Sequence, residues 1–118
     1  KRQELSGSSA EEILKDLSLQ SRYPHYKDLL MGVVDSQEDI DKTLSEFMER
    51  DMPSLDPIER NTLRLAAYEM LFTDTDVPII INESIRLSKK YGAADGHKYV
   101  NAILDKMFKS NFQRIEQK

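Results

Sequence analysis

The chain has 118 residues, of which 39% are hydrophobic and 32% charged, with a net charge of −4. This length fits one domain, and the composition is typical of a globular protein rather than a disordered one. No cysteine is present, which excludes disulfides and thiolate metal sites, and two histidines are too few for a histidine-rich metal site. We therefore expect no metal and no other cofactor. Because no apolar run approaches 18 residues and no signal peptide is apparent, we expect a cytoplasmic protein without membrane contact.

The charges are distributed unevenly along the chain. Residues 35–59 contain nine acidic and two basic residues, a balance of −7, whereas residues 86–118 contain eight basic and three acidic residues, a balance of +5. A protein with one acidic and one basic end can meet a basic partner and a polyanion at once. Ordinary solvated helix faces would give the same charge pattern, so both interpretations stay open.

The first half of the chain predicts N-terminal helices within residues 8–50, after a frayed or truncated start at residues 1–7. Ser8 or Ser9 can cap a short helix. The apolar spacing after Pro24 predicts one long amphipathic helix to about Arg50, bent near Asp35-Ser36. Proline at position 53 then breaks it.

Residues 56–112 predict the C-terminal helices, the first of which has an explicit start signal. Asp56 supplies an N-cap acceptor, Pro57 suits the first helical position, and Glu59 can complete a capping box by reaching back. The chain therefore reads as all-α, with about five helices visible.

The next two helices also carry start and stop signals. Asp76 ahead of Pro78 and Asp95 ahead of Gly96 indicate two further starts. Gly92 follows two lysines and a tyrosine, so we predict that it ends a helix in the left-handed conformation.

One constellation favours RNA binding. Tyr99 lies one turn after Asp95, Lys98 is adjacent to it, and Lys106 lies two turns beyond. A tyrosine flanked by lysines suits single-stranded RNA, because the ring can stack on a base while ammonium groups meet phosphates. A tyrosine near lysines is, however, more often a half-buried packing residue. Lys89 could extend the basic strip, although lysines at the end of a helix also serve its dipole.

No catalytic set is present. The sequence lacks G-x-S-x-G, a phosphate-binding glycine loop, H-E-x-x-H and a cysteine nucleophile. We therefore predict that the protein is not an enzyme. Asn82 and Asn101 are predicted to be buried between helices, where asparagine often bonds backbone groups. For Arg64, four residues before Tyr68, pairing within the helix or packing of its stem is the simpler explanation.

Three segments carry a resemblance to a known family. LRLAAYEML at 63–71, VPIIINESIRLSKKYG at 77–92 and DGHKYVNAILDK at 95–106 resemble the C-terminal half of the NusB family of bacterial transcription antitermination factors. A weaker likeness continues upstream through YKDLLMGV at 26–33. The resemblance implies a compact helical bundle of the NusB type in one domain, 1–118, with two small helical subdomains. The first helix would be largely missing, since only Lys1-Arg2 stands where the family has an arginine-rich opening.

The resemblance also implies a function. The family binds boxA RNA of ribosomal transcripts together with the NusE ribosomal protein, within an antitermination complex with RNA polymerase. Asp95 and Tyr99 match the aspartate and aromatic of its RNA surface, with Lys98, Lys106 and Lys89 as further RNA-binding candidates. Glu59 matches a glutamate that faces NusE, and Arg64 is a second partner-binding candidate.

Two other interpretations of the function stay open. One is a NusB-like RNA-binding module related to the N-terminal domain of an rRNA cytosine methyltransferase. The other is a structural interaction domain that self-associates as a homodimer through an apolar groove.

Overall fold

The structure is a computed structural model and describes residues 26–110. The predictions for residues 1–7 and for a short helix after Ser8 lie outside the described residues. Within residues 26–110 the chain forms five α-helices: α1 (Tyr26–Asp35), α2 (Gln37–Ser45), α3 (Pro57–Phe72), α4 (Val77–Tyr91) and α5 (Gly96–Lys109). A short 3₁₀ helix, Met52–Ser54, lies between α2 and α3. The described part of the chain contains no strand, which confirms the all-α prediction.

The long helix predicted from Pro24 to Arg50 is instead two helices, and it ends earlier. The interruption falls at Ser36, where the backbone leaves helical geometry at φ −104° and ψ 13°, so the position of the bend was predicted correctly. Serine favours such sites because its side chain competes for backbone hydrogen bonds. The helix after it ends at Ser45, whose hydroxyl donates to the carbonyl of Lys42 at 2.8 Å. The connection from there to α3 places Arg50 outside any helix.

Helix α3 is the centre of the bundle. Its start is fixed by the Asp56 side chain, which accepts a hydrogen bond from the Ile58 amide at 2.9 Å, and Pro57 occupies the first turn as predicted. Twelve of its sixteen residues are buried, because α1, α2, α4 and α5 all pack against it. A helix enclosed in this way contributes core residues on nearly all sides.

The core draws on all five helices. Its largest fully buried side chains are Val33, Ile40, Leu44, Leu63, Met70, Ile80, Val100, Ile103, Leu104 and Met107. Burying one such side chain stabilises the fold by about 1.5–3 kcal/mol. Within α5 the buried members recur at helical spacing, which leaves the opposite side of α5 facing outward.

Gly92 ends α4 differently from the prediction. Its φ is −102° and its ψ −174°, which is extended backbone rather than the left-handed conformation. A Cβ atom at this position would meet the Ser88 carbonyl oxygen at 2.8 Å and the Ile58 side chain at 3.2 Å. Glycine is therefore required here by close contact with the Ser88 carbonyl of α4 and the Ile58 side chain of α3, and not by an unusual φ.

The described helices contain no segment with both the length and the apolar character needed to cross a bilayer.

Candidate nucleic-acid interface

The outward side of α5 carries the predicted RNA-binding residues. The helix buries Val100 and its neighbours on the core side, whereas Lys98 and Lys106 are exposed. Their helical spacing places Lys98, Tyr99 and Lys106 along the outward side, with the small, exposed Ala102 between them. The structure therefore brings three of the predicted residues together on one surface, which we call the α5 face.

Asp95 and Lys98 form an exposed pair at the start of the α5 face. Asp95 occupies the N-cap position of α5, as predicted, but within the described residues its side chain makes no capping hydrogen bond. Its carboxylate instead lies 3.5 Å from Lys98 Nζ, and the two side chains are 82% and 73% exposed. An ion pair this exposed contributes little to stability, about 0–1 kcal/mol, so both groups remain free to bind a ligand.

Tyr99 is half-buried and packs against the core. Its hydroxyl oxygen is inaccessible to solvent and has no hydrogen-bond partner within the described part of the chain. Tyr99 is therefore a half-buried packing residue, whereas its contact with RNA stays a prediction.

Arg50 is the residue that the sequence analysis missed. Its guanidinium carbon lies 5.4 Å from the centre of the Tyr99 ring, within the range of a cation–π interaction. Its Nη2 also donates to the Ser54 carbonyl at 3.0 Å. Arg50 is exposed, and it adds a cation to the α5 face from a different part of the chain. Only its position just before a helix break, beside two acidic residues, could have drawn attention to it.

Glu59 lies beneath the start of α5. The capping-box prediction for it is wrong, because its carboxylate packs against Gly96 and makes no bond to the Asp56 amide in the described region. The side chain is only 6% exposed. Burial raises the pKa of the Glu59 carboxyl above its ordinary value; the nearby charge of Asp56 raises it further, and the positive charge of Arg50 opposes both. The first turns of α3 and α5 are thus linked through one carboxylate.

Arg64 joins α3 to α2. Its Nε and Nη2 donate to the two carboxylate oxygens of Asp41, and its side chain is 5% exposed. With Met52, Pro53 and Arg60, these two residues line a cavity of about 380 Å³. Arg64 lines this cavity although its side chain is almost fully enclosed.

Comparison with known proteins places the chain in a family. The model of the NusB family matches residues 2–109. The chain belongs to the NusB family. The transcription antitermination protein NusB of Shewanella piezotolerans is 46% identical over 85 residues, covering 70% of this chain and 62% of that protein. The protein of the same name from Nitrosomonas eutropha is 38% identical over 112 residues, covering 87% and 65%.

The NusB-type fold is confirmed by a solved structure as well. The structure of T. maritima NusB superposes with a TM-score of 0.68 at 33% identity, covering 85% of this chain and 72% of that one. The chain spans about 62% of the length of the first curated relatives it matches.

Two further predictions can be located in this NusB-family chain. Lys89 is exposed in the last turn of α4. Its contribution to an RNA-binding strip beside the α5 face stays a prediction. Asn82 and Asn101 are both exposed, so the prediction that they are buried between helices is wrong. Each lies on the outward side of an amphipathic helix, where the amide is open to solvent.

Proposed function

We propose that this protein is an RNA-binding transcription antitermination factor that binds boxA RNA of ribosomal transcripts together with the NusE ribosomal protein. Membership of the NusB family supports the proposal, as does the name carried by its relatives, transcription antitermination protein NusB. The observation that carries it is the α5 face, on which Lys98 and Lys106 are exposed on either side of Tyr99.

The chemistry of the α5 face suits single-stranded RNA. Lys98 and Lys106 supply ammonium groups for phosphates, and each phosphate contact releases counterions, which makes binding weaken with salt. The exposed carboxylate of Asp95 can accept hydrogen bonds from amino groups on base edges, which double-stranded RNA would hide. Lys89 would extend the basic strip from α4. No bond is made or broken in this role, so the protein acts as a scaffold and not as an enzyme.

Glu59 and Arg64 remain the proposed partner-binding residues. Both are nearly buried. Glu59 lies beneath Gly96 at the start of α5, whereas Arg64 would be reached through the cavity that it lines with Asp41, beside the acidic stretch 35–59. Exposed carboxylates of that stretch, away from Arg50 in sequence, include Glu38, Asp39 and Glu46. A basic partner such as we propose for NusE would be attracted to this surface, while RNA would be repelled from it. The two ligands would therefore bind different sides and join the RNA polymerase antitermination complex together.

Fluorescence anisotropy with labelled boxA RNA tests the proposal. The titration is made at one fixed salt concentration, with and without NusE, and repeated with a scrambled RNA of the same composition. We expect boxA RNA to bind more tightly than the scrambled RNA, and NusE to increase that difference. Equal affinity for both RNAs in the presence of NusE would rule out the proposed function.

A further inference from the structure

The Tyr99 ring is partly covered by other residues, which limits how an RNA base could stack on it. The ring packs against the core on its inner side and its hydroxyl is enclosed. Arg50 lies over the ring, with its guanidinium carbon 5.4 Å from the ring centre. Arg50 is itself exposed, so its guanidinium group covers one face of the ring from the solvent side. A base approaching the α5 face therefore meets Arg50 before it meets Tyr99.

Arg50 is held in this position by the connection between α2 and α3. Its Nη2 donates to the Ser54 carbonyl at 3.0 Å, and the 3₁₀ turn that contains Ser54 is closed by the Ser54 hydroxyl, which donates to the Asp51 carbonyl at 2.6 Å. The Glu59 carboxylate is close enough to feel its positive charge. A guanidinium group fixed at several points loses little conformational entropy when a ligand binds to it.

The neighbours of Arg50 argue against a simple phosphate contact. Glu49 and Asp51 flank it in sequence, and both are exposed. Two carboxylates beside one guanidinium group make the local net charge negative, which disfavours a phosphate. Stacking on a base does not need a positive field, because it depends on the planar face of the group.

We propose that Arg50 is a nucleotide-binding residue, whose guanidinium plane stacks on a base of the single-stranded RNA while Tyr99 supports it from below. This inference rests on the proposed function, since it names how the α5 face holds a base. Guanidinium planes are known stacking surfaces for unpaired RNA bases, and a cation over an aromatic ring is held in a defined place. Tyr99 is then a positioning residue, and the base-contacting residue is Arg50.

The substitution Arg50→Lys tests this inference, because it keeps the charge and removes the plane. Labelled single-stranded boxA RNA is titrated against the wild type and the variant over a range of salt concentrations. We expect the variant to bind about tenfold more weakly, with the same dependence of affinity on salt. Arg86→Lys, the same change on α4, is the matched control and is expected to bind as the wild type does. Thermal unfolding of Arg50→Lys should match that of the wild type, since Arg50 is exposed.

The variant Arg50→Ala separates this inference from direct stacking on Tyr99. If bases stacked on the ring itself, removing the guanidinium group would uncover the ring and leave affinity unchanged or raise it. Either result, or wild-type affinity in Arg50→Lys, would overturn the role of Arg50 while leaving the proposed function intact. If the wild type did not bind boxA RNA at all, both the proposed function and the role of Arg50 would be overturned. As a further readout, ring currents from a stacked base should shift the side-chain Nε–H NMR signal of Arg50 when RNA is added, and an unmoved signal would contradict the stack.

Discussion

Arg64 holds both carboxylate oxygens of Asp41, at 2.9 Å through Nε and 2.8 Å through Nη2, and so ties α3 to α2. The two-bond geometry is the strong form of an arginine–carboxylate contact. Because Arg64 is almost fully enclosed, removing the charge of its partner leaves a guanidinium group poorly compensated. We expect Asp41→Asn to lower the free energy of unfolding by about 2 kcal/mol, measured by urea denaturation.

The neighbouring Lys42 provides the control for this prediction. Lys42 is an exposed residue of the same helix, and Lys42→Ala should change stability by less than about 0.5 kcal/mol. If Asp41→Asn were as harmless as Lys42→Ala, the pair would not be a structural tie between the two helices.

The enclosed hydroxyl of Tyr99 leads to a second prediction. A buried donor without a hydrogen-bond partner destabilises the folded state, so Tyr99→Phe should raise the free energy of unfolding by about 1 kcal/mol. RNA affinity should stay at the wild-type level, because phenylalanine keeps the ring beneath Arg50. Tyr99→Leu keeps an apolar side chain without a ring, and it should weaken RNA binding. Equal RNA affinity for the leucine variant and the wild type would argue against any role for the ring.

Gly96 is predicted to be required for the approach of Glu59. A Cβ atom there would lie 2.9 Å from both Cδ and Cγ of Glu59, which is closer than packed atoms allow. Gly96→Ala should therefore cost about 1–2 kcal/mol of stability. In a Glu59→Ala background the same change should cost almost nothing, since the obstructing atoms are gone. A cost that is the same in both backgrounds would show that the two residues are not coupled.

The pH dependence of stability should report the buried Glu59 carboxyl. Its pKa is raised in the folded state, chiefly because burial disfavours the charged form. The folded chain therefore keeps this proton at pH values where the unfolded chain has lost it. As the pH rises above about 4, where an exposed glutamate ionises, this group makes the folded state less stable, and the loss is complete above the raised pKa.

The variant Glu59→Gln tests that dependence because the amide does not ionise. We expect it to be more stable than the wild type at neutral pH, with the difference disappearing below about pH 4. Glu38→Gln, on an exposed side chain of α2, controls for the substitution itself. A difference between Glu59→Gln and the wild type that does not vary with pH would contradict the assignment.

Lys106 is predicted to contact a phosphate of the bound RNA. It is exposed on the α5 face, beyond Tyr99. Lys106→Ala should weaken binding of any single-stranded RNA to a similar extent and reduce the slope of log affinity against log salt by about 0.7. Lys42→Ala, on α2, should leave the slope unchanged. A weaker affinity with an unaltered slope would exclude a phosphate contact by Lys106.

The starts of the last three helices were predictable because their signals are local. Asp56, Asp76 and Asp95 each stand immediately before the first helical residue, as their positions shortly ahead of proline or glycine predicted. The end of α2 was not predictable, since the apolar spacing continues past Ser45 and only the packing of the bundle determines where the chain turns. The extended backbone of Gly92 was not predictable either, since the space for a Cβ atom there is limited by the Ser88 carbonyl and by Ile58 on another helix.

In the candidate site, too, the arrangement within one helix was predictable, whereas contacts between distant segments were not. The alignment of Lys98, Tyr99 and Lys106 follows from helical spacing within one segment and was predicted. The position of Arg50 over Tyr99 joins residues that are distant in sequence, and it depends on the path of the connection between α2 and α3. No spacing rule covers such a contact. Likewise, the burial of Glu59 depends on the placement of α5 and could not be inferred from its place in a capping motif.

Arg60 makes the connection between α2 and α3 sensitive to inserted residues. Its Nη1 donates to the carbonyls of Met52, Pro53 and Leu55, at 3.2, 3.4 and 3.0 Å, so one side chain from α3 gathers three points of the preceding backbone. Surface connections commonly accept inserted residues at little cost. Here an insertion would pull those carbonyls apart and carry Arg50 away from its ring, so the length of this connection would decide whether the base contact proposed for Arg50 can form.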